Sequence, residues 1–157
     1  MRRTAPWRAW SAWRYLALAV AVALLVNGLI FVFDLRGSGQ AQRNRADFPL
    51  LPAPWVIGSV WTVLLAVMAL VQSQLVRRTQ QASVLWLVPL LFLNCLLYPA
   101  YTGGFTSELR GLIGNLFTLA LSAYVAGRIQ ATWPPGALLL GLVVAWSGFA
   151  TFATFRV

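Results

Sequence analysis

Long uncharged apolar runs succeed one another along the chain, separated by short polar breaks, and each is close to the roughly twenty residues that a helix needs to cross a bilayer. The first, Tyr15 to Phe33 (YLALAVAVALLVNGLIFVF), rises about 1.5 Å per residue as a helix and so approaches the roughly 30 Å of a hydrocarbon core. A second runs from Trp55 to Leu75 and is closed by Arg77 and Arg78, and a third from Val84 to Tyr101. The fourth, Leu112 to Ile129, is the least apolar: Asn115, Thr118 and Ser122 recur along one side at helical spacing. Lipid offers such groups no partner, so that stripe is expected to face other helices. The fifth is Gly136 to Phe155. Transmembrane strands would instead show roughly ten-residue stretches of alternating polarity. The pattern predicts an all-α, integral membrane bundle of five transmembrane helices, built as one domain over residues 1–157.

The breaks carry their own signals. Asp34 to Pro54 is the longest connection, where glycine and polar residues give way to prolines; Pro52 and Pro54 suit the approach and first turn of a helix. Pro89 and Pro99 fall inside the third run. They predict kinks, tolerated where neighbouring helices re-satisfy the freed carbonyls. Trp133, Pro134 and Pro135 predict an interfacial break before the fifth helix.

Composition sharpens this picture. Hydrophobic residues make up 60% of the 157 and charged residues 10%, far from the balance of a soluble domain. The net charge of +9 comes from arginines alone, set against Asp34, Asp47 and Glu108. Most lie near the ends of the apolar runs, where they anchor to lipid phosphates, and no compact basic domain exists to grip nucleic acid. The lipid bilayer is the expected partner and nucleic acid is not. The Arg-rich start resembles a signal peptide, but its apolar part is too long and no small-x-small site follows, so retention is expected. Arg2, Arg3, Arg8, Arg14, Arg77, Arg78 and Arg128 share the N-terminal side; Arg36, Arg43, Arg45, Arg110 and Arg156 lie opposite. That bias favours a cytoplasmic N-terminus, with a bacterial inner membrane as the expected location.

No span carries an ionisable Asp, Glu, Lys, His or Arg away from its ends, which disfavours ion pumping and proton-coupled transport. With no His and only Cys95, a protein-built metal or haem-axial site lacks ligands. No acid–base pair, activated nucleophile or phosphate loop is visible, so the chain is not expected to be an enzyme or to require a cofactor. Aromatic and amide groups remain. Trp55, Trp86 and Trp133 suit an interfacial belt. Trp61 and Trp146 are deeper and suit a pocket or helix packing equally; Asn94, Asn115 and Tyr98 suit interhelical bonds or a ligand contact.

Several of these residues also resemble a known pattern. In FPLLPAPWVIGSVWTVLLAVM, residues Trp55, Val56, Gly58, Val60, Trp61, Leu64 and Met68 are similar to the second-helix signature of the TspO/MBR family (translocator protein, tryptophan-rich sensory protein). Asn94, Pro99 and Gly103 resemble its third-helix signature, and Ala145, Trp146, Phe149, Ala150 and Thr151 its fifth. The chain departs from that pattern at Leu65, Cys95, Leu97, Thr154 and Phe155, which leaves fewer hydrogen-bonding and stacking groups. The resemblance implies a five-helix bundle that binds a porphyrin, sterol or other lipophilic molecule in a pocket lidded by residues 34–54. It puts Trp61, Asn94, Trp146 and Ala150 on pocket positions, with Trp55, Leu65, Leu97 and Tyr98 beside them. A sensor, carrier or regulator with a tetrapyrrole-like ligand is the leading expectation, and a homodimer is left open. The rival is an assembly subunit of a membrane complex, using Gly136, Gly141 and Gly148 for close helix contact.

Overall fold

Prolines set two of the helix starts and interrupt one helix. The computed structural model describes residues 10–33, 52–102 and 108–155. They form α1 (Ala12–Val32), α2 (Pro54–Arg78), the single turn α3 (Ala82–Leu85), α4 (Leu87–Thr102), α5 (Glu108–Gln130) and α6 (Pro134–Phe155). With α3 and α4 counted as one, five helices are long and apolar enough to cross a membrane. The protein is an all-α, multi-pass membrane protein. The predicted lid lies outside the described residues except for 52–54.

Pro54 is the first helical residue of α2, entered from Ala53 in extended geometry (φ −55°, ψ 145°). The N–H groups of a first turn have no intrahelical acceptor, so a proline there loses nothing. Pro134 and Pro135 use the same rule. The predicted break at these two residues is in fact the first turn of α6, and only Ala131 to Trp133 separate it from α5. That short connection makes α5 and α6 antiparallel neighbours with the most extensive contact in the bundle. The helices also overrun the predicted spans: α1 begins at Ala12, α2 includes Arg77 and Arg78, and α5 spans Glu108 to Gln130. Charges bound the hydrocarbon, not the hydrogen-bond ladder, and arginines in a last turn complement the carbonyl end of the helix dipole.

The third span shows how the membrane accommodates a proline. Its break falls at Trp86, three residues before Pro89, while Trp86 itself keeps right-handed helical geometry (φ −85°, ψ −14°). In a continuous helix the Leu85 carbonyl would accept from residue 89, and proline has no N–H to give. Instead Gln72 Nε2 of α2 donates to the Leu85 carbonyl at 3.1 Å. The ladder resumes one residue on, with the Leu90 N–H bonded to the Trp86 carbonyl at 3.0 Å.

The contacts close a ring in the order α1, α2, α6, α5, α4 and back to α1, with α2 also touching α4 across it. Met68, Val71 and Leu75 from α2, Val88 and Leu91 from α4, Val125 and Ile129 from α5, and Leu140 and Val143 from α6 fill the core. Among its described residues helix α1 adds Ala19 alone to the buried set and rests Tyr15, Val22, Ala23 and Val26 on the core's edge. Polarity is inverted relative to a soluble protein. Ser73, Asn115, Thr118, Ser122, Ser147 and Thr151 are buried, while Leu24, Val63, Leu109 and Leu138 point outward. Trp13, Trp55 and Trp86 stand exposed near helix ends. Trp133 is held instead: the Arg78 guanidinium lies 4.9 Å from its ring centroid, and a Cβ on Gly136 would collide with its indole.

Replacing Gln72 by Leu should lower stability by about 1 kcal/mol, the scale of an interhelical hydrogen bond in a bilayer. Repeating the substitution in a Pro89→Ala background should cost measurably less, since residue 89 then supplies its own N–H to Leu85. Thermal unfolding in detergent of the four proteins of this cycle checks it; equal losses in both backgrounds would show that the two groups are not coupled.

Candidate ligand-binding site

Asn94, Tyr98 and Tyr101 recur at intervals of four and three, so α4 presents them on one face. Opposite them, α5 presents Asn115, Thr118 and Ser122, all buried. The two rows interlock. Tyr98 Oη donates to Asn115 Oδ1 at 2.5 Å, Asn94 Nδ2 donates to Thr118 Oγ1 at 3.0 Å, and Tyr101 Oη donates to Asn94 Oδ1 at 3.1 Å. Tyr101 Oη also lies 3.5 Å from Thr118 Oγ1, so these three side chains close a small ring. The predicted inward-facing stripe of α5 is therefore observed: Asn115 and Thr118 bond to α4, and the buried Ser122 donates to the Leu119 carbonyl of its own helix. Close approach depends on Gly114: a Cβ there would sit 2.6 Å from Thr102 Cγ2 and 3.2 Å from Tyr98 Cε2.

The aromatic rings extend this network inward and outward. On the inner side Trp61 of α2 faces Tyr98 with ring centroids 5.9 Å apart and planes tilted by 30°. Outward, Tyr98 meets Tyr101 edge-on at 5.6 Å and 71°. Such pairs contribute about 0.5–1.5 kcal/mol beyond their buried area. The result links α2, α4 and α5 through neutral groups only.

Beside this network runs an open groove of about 450 Å³, lined by Leu90, Leu93, Asn94, Leu97 and Tyr101 of α4 and by Phe117 and Leu121 of α5. Of the predicted site residues, Asn94 and Leu97 lie on it. Tyr98 and Trp61 lie together behind it, within the bundle. Leu65 is a buried member of the apolar core. Trp55 is 74% exposed at the start of α2. Trp146, half-buried against the core, has its ring 5.6 Å from Phe149, and Ala150 lies one turn further along α6. Buried beside Trp146, the Ser147 hydroxyl has no hydrogen-bond partner among the described residues. The sequence reading missed Tyr101 and Thr118 as site residues, although Tyr101 stands at the helical interval from Asn94 and Tyr98 that would have found it. Phe117 and Leu121 carried no such signal, because their place depends on how α5 sits against α4.

What this arrangement offers is flat aromatic surface, amide and hydroxyl groups and apolar walls. It can hold and orient an uncharged lipophilic group; no cluster of metal-binding side chains occurs among the described residues.

Comparison with family models, with curated proteins and with solved structures finds no match to this chain. The TspO/MBR resemblance rests on the three stretches quoted for it.

Removing the Tyr98 hydroxyl with Tyr98→Phe deletes the buried hydrogen bond to Asn115 Oδ1 and should cost about 1–3 kcal/mol. Tyr101→Phe should cost less, because Tyr101 is 45% exposed and its partners retain each other. Paired thermal melts in one detergent test this order, and a reversed order would contradict the network.

Proposed function

We propose that this protein binds a flat, largely apolar molecule among its helices, of tetrapyrrole type, in the manner of TspO/MBR proteins, and acts as a sensor, carrier or regulator. The observation that carries the reading is Trp61 laid against Tyr98, whose hydroxyl is fixed on Asn115, inside a bundle whose spans lack charge away from their ends. Large aromatic faces hold such ligands by contact area, and one or two polar groups fix their orientation. The unpartnered Ser147 hydroxyl beside Trp146 supports it, since a buried hydroxyl is costly unless something meets it. The motifs quoted from α2, α4 and α6 point the same way.

The proposed setting is a bacterial inner membrane with the N-terminus in the cytoplasm. Among the described residues Arg14, Arg77, Arg78 and Arg128 lie at one face and Arg110 at the other, a bias in the cytoplasmic sense for the N-terminal face. The assembly-subunit reading draws less support. Of the glycines suited to close helix contact, Gly136 is covered by Trp133 and Gly148 has Leu119 at 3.9 Å, while Gly141 has open space.

Titrating the purified protein with protoporphyrin IX while following tryptophan emission should give saturable quenching. Trp61→Ala should weaken the apparent affinity about tenfold, the upper range of one aromatic contact, and Trp146→Ala should lower it as well. Absence of saturation, or identical curves for all three proteins, would remove the tetrapyrrole reading.

A further inference from the structure

The groove between α4 and α5 has a direction across the membrane. Helix α4 ends at Thr102, so Tyr101 lies at one membrane surface, and Leu90 is about 16 Å further along the helix. That is close to half of a hydrocarbon core about 30 Å thick, the depth of one leaflet. Helix α5 runs the opposite way. Gly114 is level with Tyr101 and Thr102, and Phe117 and Leu121 continue inward from there. Seven residues before Phe117, and so on the same face of α5, stands the exposed Arg110. Read from the surface inward, the chemistry is a guanidinium, then Tyr101, then Leu97 and Phe117, then the Asn94–Thr118 pair on which the Tyr101 hydroxyl closes, and last Leu93, Leu90 and Leu121.

An anionic phospholipid likewise carries its charge outermost and its acyl chain innermost, and the Asn94–Thr118 pair, being bonded to itself, leaves the wall it interrupts without a stranded polar atom. The geometry points to a binding site for one anionic phospholipid, drawn from the leaflet at which α4 ends and α5 begins. Its phosphate sits at Arg110, its ester region passes Tyr101, and one acyl chain fills the groove from Leu97 to Leu90. A second copy of the chain fits less well. A two-fold axis along the membrane normal would bring both Arg110 side chains to the same end of the contact, where like charges repel. The site shares Asn94 and Leu97 with the pocket that the resemblance implies but lies outside the Trp61–Tyr98 contact, so a Trp61 substitution separates it from the tetrapyrrole reading.

Native mass spectrometry of the detergent-purified protein, offered phosphatidylglycerol and phosphatidylcholine of identical chains, tests the assignment. The unaltered protein should retain phosphatidylglycerol preferentially. Arg110→Gln should reduce that retention about fivefold, the effect of one basic residue at an anionic surface. Leu93→Trp, at a half-exposed wall position, should reduce retention of both lipids, with Leu97→Trp as its replacement should the first variant not purify as a single species. Trp61→Ala should leave retention unchanged. Equal retention of the two lipids by the unaltered protein, or indifference to either the Arg110 or the groove-filling substitution, overturns the site. So does efficient disulfide formation between copies carrying Leu93→Cys and Cys95→Ala in native membranes, because the groove would then be an interface between two chains.

Discussion

A backbone carbonyl or amide in hydrocarbon has no water to bond, so each must be satisfied within the protein; the rest of this structure follows from that requirement. Helices meet it along their length, and prolines in the first turns of α2 and α6 do not disturb it. Pro89 does disturb it, at the Leu85 carbonyl one turn earlier, and the bundle answers with the side chain of Gln72. A polar residue near the end of an apolar run thereby acquires a structural reason. It also fixes the register of α2 against the third span, since a slip of one residue would carry the amide away from the carbonyl that Pro89 leaves without an intrahelical partner.

The same requirement explains which features were legible in the sequence. Five spans were visible because uncharged apolar stretches of that length have few other uses, and the stripe of Asn115, Thr118 and Ser122 could be oriented because lipid leaves those groups nothing to bond. Helix ends were less legible. Arg77 and Arg78 look like stops but are the last turn of α2, and Pro134 and Pro135 look like a break but begin α6. Hydropathy reports where hydrocarbon ends, whereas helix ends depend on capping and on which N–H groups are already free. The discontinuity in the third span was anticipated at its prolines, yet it falls at Trp86, because a proline removes the bond to a carbonyl four residues earlier.

The site was legible in part, for a related reason. Residues on one helix face can be read from spacing alone, which placed Asn94 and Tyr98 together and would have added Tyr101. Partners across two helices cannot. Whether Thr118 meets Asn94 or Tyr98 depends on an axial offset set by Gly114, where the missing side chain admits Thr102 and Tyr98. Trp61 was equally suited to packing and to a pocket, and it packs its ring against Tyr98. Leu65 belongs to the core for a simpler reason: an aliphatic side chain on the inward face of α2 has nothing to gain by opening a cleft.

The neutral character of the α4–α5 network has a consequence for how a ligand of the proposed kind would be selected. A buried charge at this depth would be costly and would demand a counter-charge, so selection must rest on shape, on stacking and on a few hydrogen bonds whose groups largely satisfy one another. Asn94, Tyr101 and Thr118 close on themselves at the edge of the bundle, so they can border a lipid-filled groove without leaving a polar atom stranded. A molecule entering there must displace lipid rather than water and gains little from burial alone, since hydrocarbon is already its solvent. In the proposed reading, discrimination falls to the polar features: Arg110 at the surface, the ring of Asn94, Tyr101 and Thr118 on the groove side, and Tyr98 with Asn115 toward the bundle interior. The charge left out of the spans returns at the surface, where a headgroup can meet it without the full cost of desolvation.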